Sequence, residues 1–215
     1  MAFGDVKQIV ASWSGRADAD QAAYAIARTF RINIEEKLKN TWINAVAPDF
    51  RHHVPRDGRM EYANWYAVSE QPMHLLPLRF NSWDEFLAQE LADVITQFKV
   101  HHGSLEAATW GRINAAKITH PISEVLPWLG HWLNMPATRL GGDNHMPMVA
   151  TKTDGASQRM VVAPGLEASG ILSMPGGQSG HPFSPFYGAG HRDWLDGTPT
   201  PFLAGLARYT MTIKP

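Results

Sequence analysis

The stretch SWDEFLAQELADVITQFKVHHG, residues 82–103, divides the chain and sets how the rest of it is read. Leu87, Leu91, Val94, Ile95 and Phe98 recur at the three- and four-residue spacing of one helical face, which predicts a helix over residues 83–100. Ser82 and Glu85 stand as a capping box, in which each side chain satisfies a free backbone donor of the first turn. Gly103 supplies the stop. Upstream, Ala23, Ile26, Ala27, Phe30, Ile34 and Leu38 repeat that spacing and predict a helix over residues 18–38, with a shorter one over 60–69. Downstream of Gly103 the character changes. Gly and Pro punctuate the chain, and short apolar runs at 107–118, 146–152, 158–163, 170–174 and 207–213 predict strands bounded by turns. Residues 182–201, rich in Gly and Pro, predict a long ordered loop. Helices first and strands later make the expected fold α+β, with a mainly helical segment at 1–103 and a strand-rich segment at 104–215 forming one continuous structural unit.

Composition sets limits on function. A length of 215 residues suits one sizeable domain, or a large and a small subdomain. A hydrophobic fraction of 44% against 18% charged residues is that of an ordinary globular core. The formal net charge of −1 argues against a nucleic-acid or anionic-membrane partner, both of which need a basic excess. Without cysteine there is no disulfide, thiolate zinc site or cysteine nucleophile. No run of 18 apolar residues exists to span a membrane, and residues 1–10 lack the basic start and long apolar stretch of a signal peptide. Eight Trp point to a large buried aromatic component or to surfaces that another chain covers.

The chemistry-bearing residues do not assemble into a site on their own. His52-His53 and His101-His102 are adjacent pairs, and neighbours point about 100° apart on a helix or to opposite faces of a strand, so neither pair converges on one metal. Asp143-Asn144-His145 could supply a metal ligand from a loop, and a metal enzyme built on Asp143, His145 and a distant His is the outlying reading; polar or surface histidines weigh more, and no metal or cofactor is expected. Gly177-Gln178-Ser179-Gly180 resembles half of a nucleophile elbow, but His181 stands where the last Gly belongs and Pro182 follows at once. Gly141-Gly142-Asp143 and Gly176-Gly177 match no phosphate-binding spacing.

The order of four motifs adds a resemblance. Thr109-Trp110-Gly111-Arg112-Ile113 followed by His120-Pro121, then Gly141-Gly142-Asp143, then Gly155-Ala156-Ser157-Gln158-Arg159-Met160-Val161-Val162, then Pro175-Gly176-Gly177-Gln178-Ser179-Gly180-His181-Pro182-Phe183-Ser184-Pro185-Phe186-Tyr187 are similar to successive motifs of the C-terminal region of the penicillin acylase family. The first helix, with Trp13-Ser14-Gly15 before it, also looks like the family's. One departure is that Tyr187 is followed by Gly188-Ala189-Gly190-His191, where the family often has an acidic residue and Gln.

The resemblance implies an N-terminal-nucleophile hydrolase, a four-layer αββα sandwich in which a self-cleaved precursor exposes a Ser whose own α-amino group activates it. This chain would be the C-terminal portion of that sandwich. Ser104 follows a Gly but lacks the family's Asn and Trp after it, and is not expected to be the nucleophile. No catalytic residue carries over. Trp110, Arg112, His120, Arg159, Gln178 and Ser179 are expected to pack and brace near the site, Arg159 through an ion pair. The implied partners are the α chain and the N-terminal part of the β chain of an acylase, with a small-molecule amide as substrate. The implied location is periplasmic or secreted. The alternative is a non-catalytic binding or structural module derived from the same fold.

Overall fold

The computed structural model describes residues 2–45, 49, 61–144, 146, 148–151, 155–207 and 209–213. His52, His53 and His145 lie outside the described residues, as does the start of the helix expected at Met60. The chain divides into two compact units, Met1–Arg16 with Asp20–Trp110, and Ala17–Ala19 with Gly111–Pro215.

The first unit is helical: α1 (Ala2–Ala11), α2 (Ala22–Ala45), α3 (Glu61–Glu70) and α4 (Trp83–His102). The predicted 18–38 helix starts four residues later and runs seven further, and α1 was not anticipated. Helix α2 packs on α1, α3 and α4. Ile34 and Leu38 of α2, Ala67 of α3, Leu76, Trp83 and Phe86 close one core, in which each large side chain contributes about 1.5–3 kcal/mol of burial. The Trp42 and Trp83 indoles donate to Leu75 O and Pro72 O at 3.4 and 3.3 Å, tying the Met73–Leu75 turn to the helices. At the start of α4 the Glu85 amide donates to Ser82 Oγ at 3.1 Å, while the Glu85 carboxylate accepts from the Asn81 amide at 2.9 Å. Gly103, at φ +85, donates back to Lys99 O and ends the helix. The buried face of α4 is turned slightly from the predicted one. Phe86 and Glu90 are fully inside, and Leu87 and Leu91 are half-buried.

The second unit is built from short pieces. Strand β1 (Ala115–Ala116) pairs antiparallel with β2 (Thr138–Arg139), and β3 (Arg159–Val161) with β4 (Ile171–Ser173), in the register Arg159↔Ser173 and Val161↔Ile171. Ile171 also bridges Pro201. The unit takes up the short helix α5 (Trp110–Ile113) from Gly111 on, and it also contains α6 (Pro121–Val125), α7 (Gly130–Leu133) and α8 (His191–Asp196). Its core is small: Ala116, Leu140, Ala150 and Trp194, with Ile118 and Leu195 against them. Helices and small antiparallel sheets together give the mixed α+β class that the sequence predicts.

The strands expected at 158–163 and 170–174 form as β3 and β4. The run at 107–118 instead forms the helical turn α5 at 110–113 and keeps only two residues of strand, because a short alanine-rich apolar run carries no period that separates helix from strand. Among the described residues of 146–152, Ala150 alone makes a bridge, to Gly155. The expected loop at 182–201 contains α8, whose six residues, fewer than two full turns, are too few to show a helical period. The strand expected at 207–213 is absent from its described residues, where Tyr209, Met211 and Ile213 are exposed; alternation alone makes no strand without a neighbour to pair with.

Candidate functional site

The motifs of the second unit resolve into backbone grips. Ala17–Ala19 is held from two sides: the Gly111 amide donates to Ala19 O at 2.7 Å, and the Gly142 amide to Ala17 O at 2.8 Å. A side chain on Gly111 would start 2.8 Å from Ala19 Cβ and 2.9 Å from Arg139 Cβ, so only glycine admits this approach. Gly142 adopts φ +83, and a Cβ there would fall on Met148 O. Buried Asn114 spans the same turn, its amide donating to Ala150 O at 3.1 Å and to Gly142 O at 3.4 Å. His120-Pro121 opens α6 in the standard way, with His120 Nδ1 accepting from the Ile122 amide at 3.1 Å and Pro at the first helical position. Asn134 Oδ1 accepts from the His120 amide at 2.8 Å and from Ser123 Oγ at 2.7 Å, locking the helix end.

A polar cluster surrounds Trp194 of α8, which is completely buried. Its indole Nε1 donates to Ala156 O at 2.7 Å, and a Cβ on Gly155 would lie 2.5 Å from the ring. The Arg159 guanidinium stacks 4.9 Å from the ring centroid and donates through Nη1 to Trp194 O at 2.5 Å. Arg159 thus meets a carbonyl and an aromatic face rather than a carboxylate, and its Nε and Nη2 are buried without a partner among the described residues. Burial pushes its pKa down from the ordinary value. His191 stacks on the same indole and faces Pro175 O through Nδ1 at 2.6 Å. It therefore helps close the Pro175–Tyr187 loop at the place where the sequence departs from the family pattern. The Gly177 amide donates to Tyr187 O, a Cβ on Gly177 would strike Phe186 O, and Tyr187 Oη donates to Leu133 O at 2.6 Å.

Of the six residues that the sequence singled out, Trp110 belongs to the first unit, where it is buried edge-on against Tyr24 at 5.0 Å. The other five belong to the second unit. Arg112 is exposed, His120 caps α6 and Arg159 stands on Trp194. Gln178 and Ser179 come together on a cleft of about 630 Å³ with Leu172, Met174, Gly176 and Gly177. Among the described residues no nucleophile and base meet there. Ser179 Oγ accepts from the His181 amide at 3.2 Å, and His181 Nδ1 accepts from the Phe183 amide at 3.2 Å, so both groups are taken up by the turn. Ser104 Oγ likewise accepts from the Ala107 amide at 3.2 Å. Among the described residues no group of three His, Asp or Glu could hold a metal ion. Asn114 and Trp194 are the residues that sequence reasoning missed. The sole signal for Trp194 was a large aromatic three residues after His191, between Gly190 and Gly197.

These grips fall on motifs whose order is that of one family. The penicillin amidase family matches residues 4–208. The chain belongs to that family. Penicillin acylase 2 proenzyme of Pseudomonas sp. (strain SE83) is 28% identical to it over 214 residues, an alignment that covers 93% of this chain. The chain spans 26% of that relative's length. In this member of the penicillin amidase family, then, the Trp-Gly-Arg, Gly-Gly-Asp and Gly-x-Ser-x-Arg motifs do their work through backbone approach and through one buried indole.

Proposed function

We propose that this chain is one part of a penicillin-acylase-like amidohydrolase, a part that braces the fold while the nucleophile comes from elsewhere in the enzyme. The reading extends to an N-terminal-nucleophile αββα sandwich, whose sheets β3 and β4 would help complete, and to an amide substrate of the penicillin, cephalosporin or N-acyl-homoserine-lactone type. The observation that carries it is the local commitment of the candidate hydroxyls: Ser104 and Ser179 each accept a backbone amide, and the carboxylate that Ser104 meets, exposed Glu106, is held below its ordinary pKa by its hydrogen bonds to its own backbone and to Ser104, which makes it a weak base. A serine becomes a useful nucleophile only when a neighbouring base takes its proton. The family match runs along almost the whole chain, yet covers about a quarter of the relative, which fits a supporting part. Trp110, Arg112, His120, Arg159, Gln178 and Ser179 then have the roles of packing, capping and turn closure.

The test is to identify every polypeptide in the purified, active sample by intact mass and N-terminal sequencing, and to assay each alone for release of acid from a penicillin or acyl-homoserine-lactone amide. The expected result is a second polypeptide beginning with Ser and no turnover by the 215-residue chain alone. Amide hydrolysis by the isolated chain, lost in Ser179→Ala or Ser104→Ala, overturns the proposal.

A further inference from the structure

We propose that the outer face of residues 121–133 is the surface on which the rest of the acylase polypeptide docks. This rests on the reading above and adds the place of contact. The segment is amphipathic the wrong way round for a lone protein. Its inward side carries the buried Ser123, hydrogen-bonded to Asn134 Oδ1 and His120 O. Its outward side carries Val125 at 79% exposure, Trp128 at 66% and Trp132 at 45%, flanked by exposed Ile122 and Leu126. A surface helix normally turns its apolar stripe inward, and a contiguous exposed apolar patch marks a contact.

The patch is also preorganised. The His120 cap and Asn134 Oδ1, which accepts from the His120 amide and Ser123 Oγ, both fix the start of α6, and Tyr187 Oη holds Leu133 O. The Trp128 and Trp132 rings hold each other edge-on at 6.4 Å, so two large side chains are presented with little freedom left to lose on binding. Tryptophan is the residue type most often found to dominate the energy of protein contacts. Glu124 and His131 are the sole ionisable side chains of the segment, so the partner surface it fits is apolar and uncharged. One occupant is indicated by length. The relative that this chain matches is about four times longer than the matched part, and the unmatched three quarters is the polypeptide available to cover the face.

The experiment places p-benzoylphenylalanine at Trp128 of the full chain in its natural host, irradiates, and identifies adducts by peptide mass spectrometry. A matched probe sits at Glu36 of α2, which is exposed and outside the patch. The expected adduct from position 128 is a penicillin-acylase peptide that lies outside this 215-residue sequence, with none from position 36. An adduct to a second copy of this chain, to an unrelated protein, or from position 36 alone while an acylase polypeptide co-purifies, overturns the docking face and leaves the proposed function standing. Absence of any co-purifying acylase polypeptide overturns both. As an independent check, Val125→Ser with Trp128→Ser is expected to cut co-purification at least tenfold while the far-ultraviolet dichroism stays unchanged. Unaltered co-purification sinks the proposal.

Discussion

The two units reach order by different means. In the first, side chains do the work: α2, α3 and α4 bring Ile34, Leu38, Ala67, Trp83 and Phe86 into one apolar cluster, and the backbone satisfies itself inside each helix. In the second, the described strands are two or three residues long and the described core cluster holds a single aromatic residue, Trp194. Its order comes from close backbone approach at Gly111, Gly142, Gly155 and Gly177 and from polar groups gathered on one indole. The lesson is one of tolerance. A core of many interchangeable apolar contacts absorbs a conservative change, whereas a unit pinned at a few contact points does not.

Trp194→Ala should be the most damaging single change. It empties the core of the second unit, strands Ala156 O and removes the platform under Arg159, for a loss of about 3–5 kcal/mol. Native-state hydrogen exchange at the β3 and β4 amides reads this directly. The conservative pair sharpens the contrast. Phe86→Leu should cost under about 1.5 kcal/mol, as a near volume-conserving swap among α2 and α4 side chains. Trp194→Phe should cost clearly more, because the Nε1 donor goes and leaves a buried carbonyl unpaired, a penalty of about 1–3 kcal/mol on top of the lost volume. Equal costs for the two swaps would break the comparison.

Gly111→Ala comes next, at about 1–3 kcal/mol, since the new methyl has to displace Ala19 and the Arg139 stem. Thermal unfolding followed by near-ultraviolet dichroism would register it. A neutral outcome would mean that Ala17–Ala19 is not held as tightly as the 2.7 Å hydrogen bond implies. Ser82→Ala removes the cap of α4 and should cost about 1 kcal/mol, measured at the Glu85 amide and its neighbours.

The same contrast explains what could be read in advance. Helix α4 was legible because its period, cap and stop are all local: Ser82, Glu85 and Gly103 act within a few residues of where they stand. The strand pair β3 and β4 was legible from β-branched and apolar runs. What Arg159 touches was not, because Trp194 lies 35 residues on and nothing in a sequence announces a carbonyl. The expectation of an ion pair failed for that reason, since a guanidinium can be served by an indole face and a main-chain oxygen. The motif glycines were visible as letters, and their purpose became clear from the atoms that a Cβ would strike. Trp194 itself left almost no trace, because a six-residue helix is too short to show a period.

Glu90 offers the smallest effect and a test of whether the first unit is as tolerant as its apolar cluster suggests. It sits on α4 with Phe86 and Val94 on the buried face and is almost wholly inaccessible. Lys37 Nζ and Arg79 Nη2 approach its Oε1 at 3.8 and 3.6 Å, beyond hydrogen-bonding reach, and that oxygen has no hydrogen-bond partner among the described residues. Burial raises its pKa above the ordinary 4.5, with Asp93 adding to the rise and Lys37 and Arg79 opposing it. A raised folded pKa means that the native unit binds this proton more readily than the unfolded chain. The stability it contributes is complete below the unfolded value and is lost as pH rises through the higher, folded one. Glu90→Gln removes the titration. In denaturation midpoints followed through the α4 amides between pH 4 and 7, the variant should gain on the parent as pH rises, by a small margin because the two cations already offset part of the buried charge. If the parent gains on the variant instead, Lys37 and Arg79 outweigh the cost of burial, and Glu90 is a stabilising pair member rather than a tolerated charge.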